Sequence, residues 1–539
     1  MLRTSVALLA ALPLLAPTLS AQSNKVPGRD ASLPLVESFR SYGRSGSYPN
    51  GTTGAALGVT VCNVGSVNIG WSQPMNPDHP MYAPLVVRLA GDRMEQISDW
   101  SHVKHGFLSI NANYCGNCNT SNGSILGPNC SDTYGSGLNA DRYWLGPPSE
   151  IDPWLGDWQS QGSLFDRGMP DVGAPRNSDN SRSLTRSQAN SLPSTMHRIQ
   201  LQDQDLLVPG ARYFYGMYIV VAGEPGDSRE NNWCFREASA SWTGSAWSFG
   251  NLTNSVVGSP LNFWTGAAVT NGGNQGNDGF FYVGVKVTGP DARGFWHYEY
   301  AVHNRDNARG GASFRVPVCP TARIENMRFR DIDGDATNDW TAQAQNGEVA
   351  FFAPATGNVL EWNTLYNFSF DADVAPTSGP STVDQARTGT GNLSVTVMTT
   401  VPGTSHTPVI GDGCGVTPPQ IHANGIPSIP NPGFAFRIED VTANSSAVLL
   451  ASWNTVPTNA GGGCTLFVDP AAAIVHGTFA SDGQGVAQVP FAVPFDPSLE
   501  GVGLTFQAVE LVTGGPLYGL GELSNAVRMR IGNQVTGCQ

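Results

Sequence analysis

Asp331-Ile-Asp333-Gly-Asp335-Ala-Thr-Asn338-Asp339 is the stretch of this chain in which ligand chemistry is written at close spacing. Its acidic side chains fall at positions 1, 3, 5 and 9, and Ca2+ takes six to eight hard oxygens of this kind. The order departs from an EF-hand: Gly334 comes early, Ala336 stands where the glycine belongs, and Ala342 replaces the bidentate glutamate at position 12. The residues predict either a structural Ca2+ held by Asp331, Asp333, Asp335 and Asp339, or an acidic β-turn without metal.

Imidazole supplies the second group of candidates. In Trp296-His-Tyr-Glu-Tyr-Ala-Val-His303, alternation puts His297, Glu299 and His303 on one strand face, opposite Trp296, Tyr298, Tyr300 and Val302. At about 3.3 Å per residue the two histidines stand roughly 20 Å apart, too far for one coordination sphere. A solvated polar face is therefore expected. His102 and His105 would share a face in a helix, but in strand context they point oppositely. His105, Asp132 and Glu150 form the candidate catalytic set for a metal-dependent or carboxylate-based enzyme acting on a polymer such as a polysaccharide. Asp152 and Asp157, beside Trp154 and Trp158, offer a carboxylate pair for a sugar site, although only their separation in space defines such a pair. Motifs for common chemistries are missing: G-x-S-x-G, H-E-x-x-H, and a phosphate-cradling glycine loop after a strand.

The elements that must position these groups read as strands. Arg212–Val221, Phe280–Val287, Phe295–Val302, Ser313–Val318, Glu348–Phe352, Tyr366–Phe370 and Leu393–Thr399 are rich in β-branched and aromatic residues, and no segment carries a helical stripe over three turns. Phe280–Val287 and Phe295–Val302 predict an antiparallel hairpin. With 63 Gly, 38 Pro and 13% charged residues, the composition suits an all-β, multidomain fold. Residues 1–21 have the charged, apolar and small-residue regions of a secretory signal, and 22–57 read as a flexible lead-in. A large β-rich body follows over 58–401, with a long irregular region from Asn111 to Ser194. Residues 402–433 read as a Pro/Gly-rich linker, and 434–539 as a small β-sandwich with turns every eight to twelve residues.

Several of these stretches also carry a resemblance. DRMEQISDWSHVKHGF, NCSDTYGSGLNADRYWLGPPSEI, FWHYEYAVHNRDNARGGASFRVP and FRDIDGDATNDW with LEWNTLYNFSFDADVAP resemble an uncharacterised family of exported bacterial proteins of the planctomycete type. VPFDPSLEGVGLTFQAVELV followed by LSNAVRMRIG looks like a β-sandwich module appended to many secreted proteins of such bacteria. The resemblance brings no reaction and no functional residues with it.

Charge and sulfur bound the setting. A net charge of −14 argues against nucleic acid or an anionic membrane as partner, and no later apolar run is long enough to span a bilayer. Nine cysteines in an exported chain predict disulfides, among them a local one within Cys115, Cys118 and Cys130, with one thiol left over or paired between chains. The expected protein is secreted, extracellular or at the cell surface, of binding or structural type, with a glycan or cell-surface component as partner.

Overall fold

A computed structural model describes residues 25–169, 179–274, 278–291, 293–319 and 322–533. The expected signal lies outside them, as does the start of the Val172–Ser194 stretch, residues 172–178. The fold is all-β, with helices of no more than six residues among the described ones.

Four sheets stack face to face, and alternation along the inner strands explains the stacking. In the Arg212–Val220 strand, Tyr213, Tyr215, Met217 and Ile219 enter one core while Phe214, Tyr218 and Val220 enter the next. Both faces of this strand are apolar because its eight-stranded sheet is covered on both sides. On one side lies a four-stranded sheet built on Ala31–Ser45 and Thr52–Asn63. On the other lies a five-stranded sheet containing Phe280–Thr288, Trp296–Asn304 and Thr364–Ala372. The expected Phe280/Phe295 hairpin is present, with Val283 opposite Val302. Tyr298, Tyr300 and Val302 then pack into a third core against the Gly311–Pro317, Val374–Gln385 and Ser394–His406 strands.

The expected lead-in is instead the fifteen-residue strand Ala31–Ser45. Its apolar residues do not alternate simply, because register shifts after Ser32, Val36 and Ser41 reset which side chains face inward. Leu33, Val36 and Phe39 are buried as a result. The expected linker is also structured. Val409 and Ile410 pair with Val527 and Ala526, Gln420–Asn424 pairs with Ala435–Glu439, and Cys414 is bonded to Cys464. Apart from Pro402, which lies in the Ser394–His406 strand, its prolines fall outside these short strands, where no ladder N–H is required. The C-terminal module closes as a sandwich around Phe436, Leu449, Phe506 and Met529. One of its sheets continues the body's, through His406 opposite Arg530, into a single ten-stranded sheet.

Cys118–Cys130 is the local disulfide the spacing predicted. Cys115 ties the same loop to Cys62, Cys319 is also disulfide-bonded, and buried Cys234 is the free thiol among the described residues.

Candidate functional site

His105 ends the short strand Val103–His105, opposite Met81. Its Nδ1 lies 2.8 Å from His79 Nε2, and His79 Nδ1 lies 2.8 Å from the Asn76 carbonyl. A carbonyl only accepts, so His79 carries its proton on Nδ1 and His105 donates from Nδ1 to the bare Nε2 of His79. That leaves His105 Nε2 as a lone pair with no hydrogen-bond partner among the described residues. Trp158 and Phe165 box the ring at 5.0 and 4.9 Å between centroids. His105 is 0% exposed, and burial pushes its pKa well below the ordinary histidine value. Burial likewise lowers His79, to about 4. The pair is thus neutral and oriented, and it is held inside the protein.

The other two members of the candidate set do not join it. Glu150 accepts from Arg167 at 2.9 Å, from the Leu164 amide at 2.8 Å, and from Trp158 Nε1 at 3.4 Å. An indole therefore stands between Glu150 and His105. Asp132 lies beyond the sheet: the Trp158 and Phe165 around His105 belong to one core, while Tyr134, beside Asp132, belongs to the core on the opposite face. Asp132 is 3% exposed, its Oδ1 accepts from the Ile110 amide at 2.8 Å, and burial raises its carboxyl to about 6. Across from it, Lys104 Nζ rests over the rings of Phe107, Tyr134 and Trp144 at 4.3, 5.1 and 5.6 Å. Burial pushes this amine well below its ordinary value. Asp152 and Asp157 face each other at the base of a short hairpin with a four-residue turn, 153–156, where Asp152 caps the Trp154 and Leu155 amides.

The acidic loop is a run of Asx turns. Asp331 Oδ1 accepts from the Asp333 amide at 3.0 Å, Asp333 from the Asp335 amide at 2.7 Å, and Asp335 from the Thr337 amide at 3.0 Å. Asn358 anchors the loop by donating to Asp331 Oδ2 at 2.6 Å and accepting from the Tyr366 hydroxyl at 2.7 Å. Among the described residues, no cationic side chain pairs with Asp331, Asp333, Asp335 or Asp339. Partial burial and the nearby charges of Asp333 and Asp335 raise Asp339. Among the described residues, no three His, Cys, Asp or Glu side chains are grouped so as to hold a metal ion as they stand.

The polar face of Trp296–Asn304 is covered rather than solvated, because the eight-stranded sheet packs over it. Glu299 and His303 are buried there, and Arg93 from the covering sheet donates to both carboxylate oxygens of Glu299 at 2.9 Å. His297, 40% exposed at the rim, sits between Glu299 Oε2 at 3.4 Å and Asp371 Oδ1 at 2.7 Å. Hydrogen bonding to Glu299 and then to Asp371 raises its pKa. His79, Arg93 and Asp371 escape sequence reasoning because each reaches its partner across a sheet or between strands. The only local signal is the histidine in Pro77-Asp-His-Pro80, set between prolines where a loop must turn.

No protein-family model matches the chain, and no curated protein matches it. Among solved structures it is similar to the major pilin subunit of Bacillus cereus, at 8% identity over 64% of this chain and 87% of that one, with a TM-score of 0.17. It is also similar to Escherichia coli alpha-2-macroglobulin activated by porcine elastase, at 9% identity over 94% of this chain and 35% of that one, with a TM-score of 0.14.

Proposed function

We propose that this protein is a secreted scaffold, extracellular or at the cell surface, of binding or structural type. Its partner in this reading is a glycan or another cell-surface component, and Ca2+ stabilises its acidic loop. The observation that carries the reading is the ten-stranded sheet that runs from the body into the C-terminal module, with Cys414–Cys464 bracing the far end of the module's Glu522–Arg530 strand. A sheet continuous across two modules resists their hinging, which is what a supporting element requires. Disulfides of this number suit an oxidising compartment outside the cytoplasm. Kinship with the exported planctomycete-type family belongs to the same proposal and rests on its motif stretches.

The loop's donors are of the kind calcium takes: they are oxygen only, and no side-chain cation pairs with Asp331, Asp333, Asp335 or Asp339 among the described residues. They are not gathered around one point as they stand, so binding would have to draw them together. Bound there, the ion would relieve the repulsion from Asp333 and Asp335, which adds to burial in raising Asp339.

Limited proteolysis tests both parts. The mature chain is expected to resist cleavage between residues 402 and 433 as firmly as within its body, and to be cut near 331–339 only after chelation. Ready release of a separate C-terminal fragment from the native protein would refute the continuous scaffold. Indifference of both cleavage and thermal midpoint to EDTA would refute the calcium site.

A further inference from the structure

The Ala31–Ser45 strand and the Trp247–Asn251 strand belong to different sheets, yet they run side by side in step. Ser41 Oγ donates to the Trp247 carbonyl at 2.7 Å, and Asn251 Nδ2 donates to the Glu37 carbonyl at 2.8 Å. Midway between these bridges, Phe39 and Phe249 meet at 4.3 Å between ring centroids. The three contacts share one antiparallel register, but side chains take the place of a backbone ladder. The seam therefore stays open as a slot of about 490 Å3, a size that suits small-ligand sites of about 300–1,000 Å3.

The lining selects the chemistry. The floor is aromatic, from Phe39, Trp247 and half-buried Phe249, and no carboxylate lines the slot. Trp247 is fixed by its Nε1 bond to Asp203 at 2.8 Å, so the floor is rigid. Arg40 and Ser248 are exposed residues of the lining, next in sequence to the aromatic floor, and no hydrogen bond from either side chain is present among the described residues. The aromatic row continues past Trp247 to Trp242 at 5.9 Å and on to Tyr48, which stacks on Trp242 at 4.4 Å and is 39% exposed. Aromatic faces with hydrogen-bond donors along their edge match a pyranose, which has an apolar C–H face and a rim of hydroxyls. An extended peptide fits poorly, because the bridges at Ser41 and Asn251 block a strand from pairing along both edges. A polyanion would meet the repulsion of a chain carrying −14 charges.

We infer that the seam between Ala31–Ser45 and Trp247–Asn251 is a binding slot for a neutral oligosaccharide, with Phe249 as stacking platform and Arg40 and Ser248 as hydroxyl partners. This rests on the glycan-binding part of the proposed function and gives it a location. No bond is made or broken in the slot.

Calorimetric titration of the intact mature protein with cellohexaose and with N-acetylchitohexaose tests it. Wild type is expected to bind at least one of them saturably, while Phe249→Ala and Arg40→Ala each weaken binding about tenfold or more. Arg40→Ala alters an exposed side chain and is expected to keep the wild-type thermal midpoint, whereas Phe249→Ala, which loses packing on Phe39, is expected to lower it, so its titration is run well below that midpoint. If one variant misfolds, Ser248→Ala and the other variant carry the test. Saturable binding that survives these substitutions would overturn the slot while leaving a glycan partner in place. No saturable heat with either hexasaccharide would overturn the slot and the glycan part together. The scaffold part is read separately, by proteolysis.

Discussion

Replacing His303 with phenylalanine should flatten the acid side of the stability curve. His303 is fully buried against Trp233, at 5.5 Å between ring centroids, and neither ring nitrogen has a hydrogen-bond partner among the described residues. Burial first, and the Arg305 guanidinium second, hold its pKa down to about 3, with Asp306 opposing. The unfolded chain titrates near the ordinary value of about 6.5. A histidine depressed in the native state takes up its proton in the unfolded state first, so stability falls as pH drops below about 6.5 and goes on falling to about 3. Between pH 8 and pH 5 this group alone costs about 2 kcal/mol, from RT ln(1 + 10^1.5). His79 and His102, depressed to about 4 and about 3, act in the same direction. Glu224 and Asp132, raised to about 7 and about 6 mainly by burial, act in the opposite one, because the native state gains their protons first. The whole-protein slope is therefore a partial cancellation, and the informative quantity is the difference between wild type and His303→Phe. Urea unfolding followed by tryptophan fluorescence at pH 8 and pH 5 measures it. The variant should lose about 2 kcal/mol less than wild type over that interval. At pH 8 it should be no less stable, since phenylalanine leaves no unpaired N–H or lone pair. Equal losses in the two proteins would refute the assignment of a neutral, unpaired imidazole.

Gly146→Ala should destabilise by about 1–3 kcal/mol in thermal or chemical unfolding, because the new Cβ would stand 2.9 Å from His105 Nε2 inside a ring box that cannot open. Glu299→Gln should lower the His297 pKa toward the ordinary range, read by NMR titration, and cost about 1–3 kcal/mol by weakening the Arg93 fork. Replacing Cys118 and Cys130 together by serine should cost about 2–4 kcal/mol and open the loop between them to protease, while leaving the C-terminal module's protection unchanged.

What could be read from the residues was decided by how local the physics is. Tyr298, Tyr300 and Val302 alternate without interruption, so their strand, its buried face and its hairpin with Phe280–Thr288 were legible. Leu33, Val36 and Phe39 are equally buried, but bulges between them break the two-residue period, and the strand reads as coil. The covered state of Glu299 could not be inferred, because it depends on Arg93 arriving from another sheet. The acidic loop was legible as a unit, since each Asx turn spans two residues. The separation of Asp132 from His105 was not legible, because it depends on which side of a sheet each side chain falls.

Cys234 bears on how the chain reaches its native pairing. It lies in the Trp233–Trp242 strand, buried, and desolvation pushes its thiol up to about 12. Thiol exchange proceeds through the thiolate, so once that strand is packed the odd sulfur cannot reshuffle the bridges around it. Its reactivity becomes a clock for folding: a maleimide should label chains caught before sheet closure and pass over finished ones.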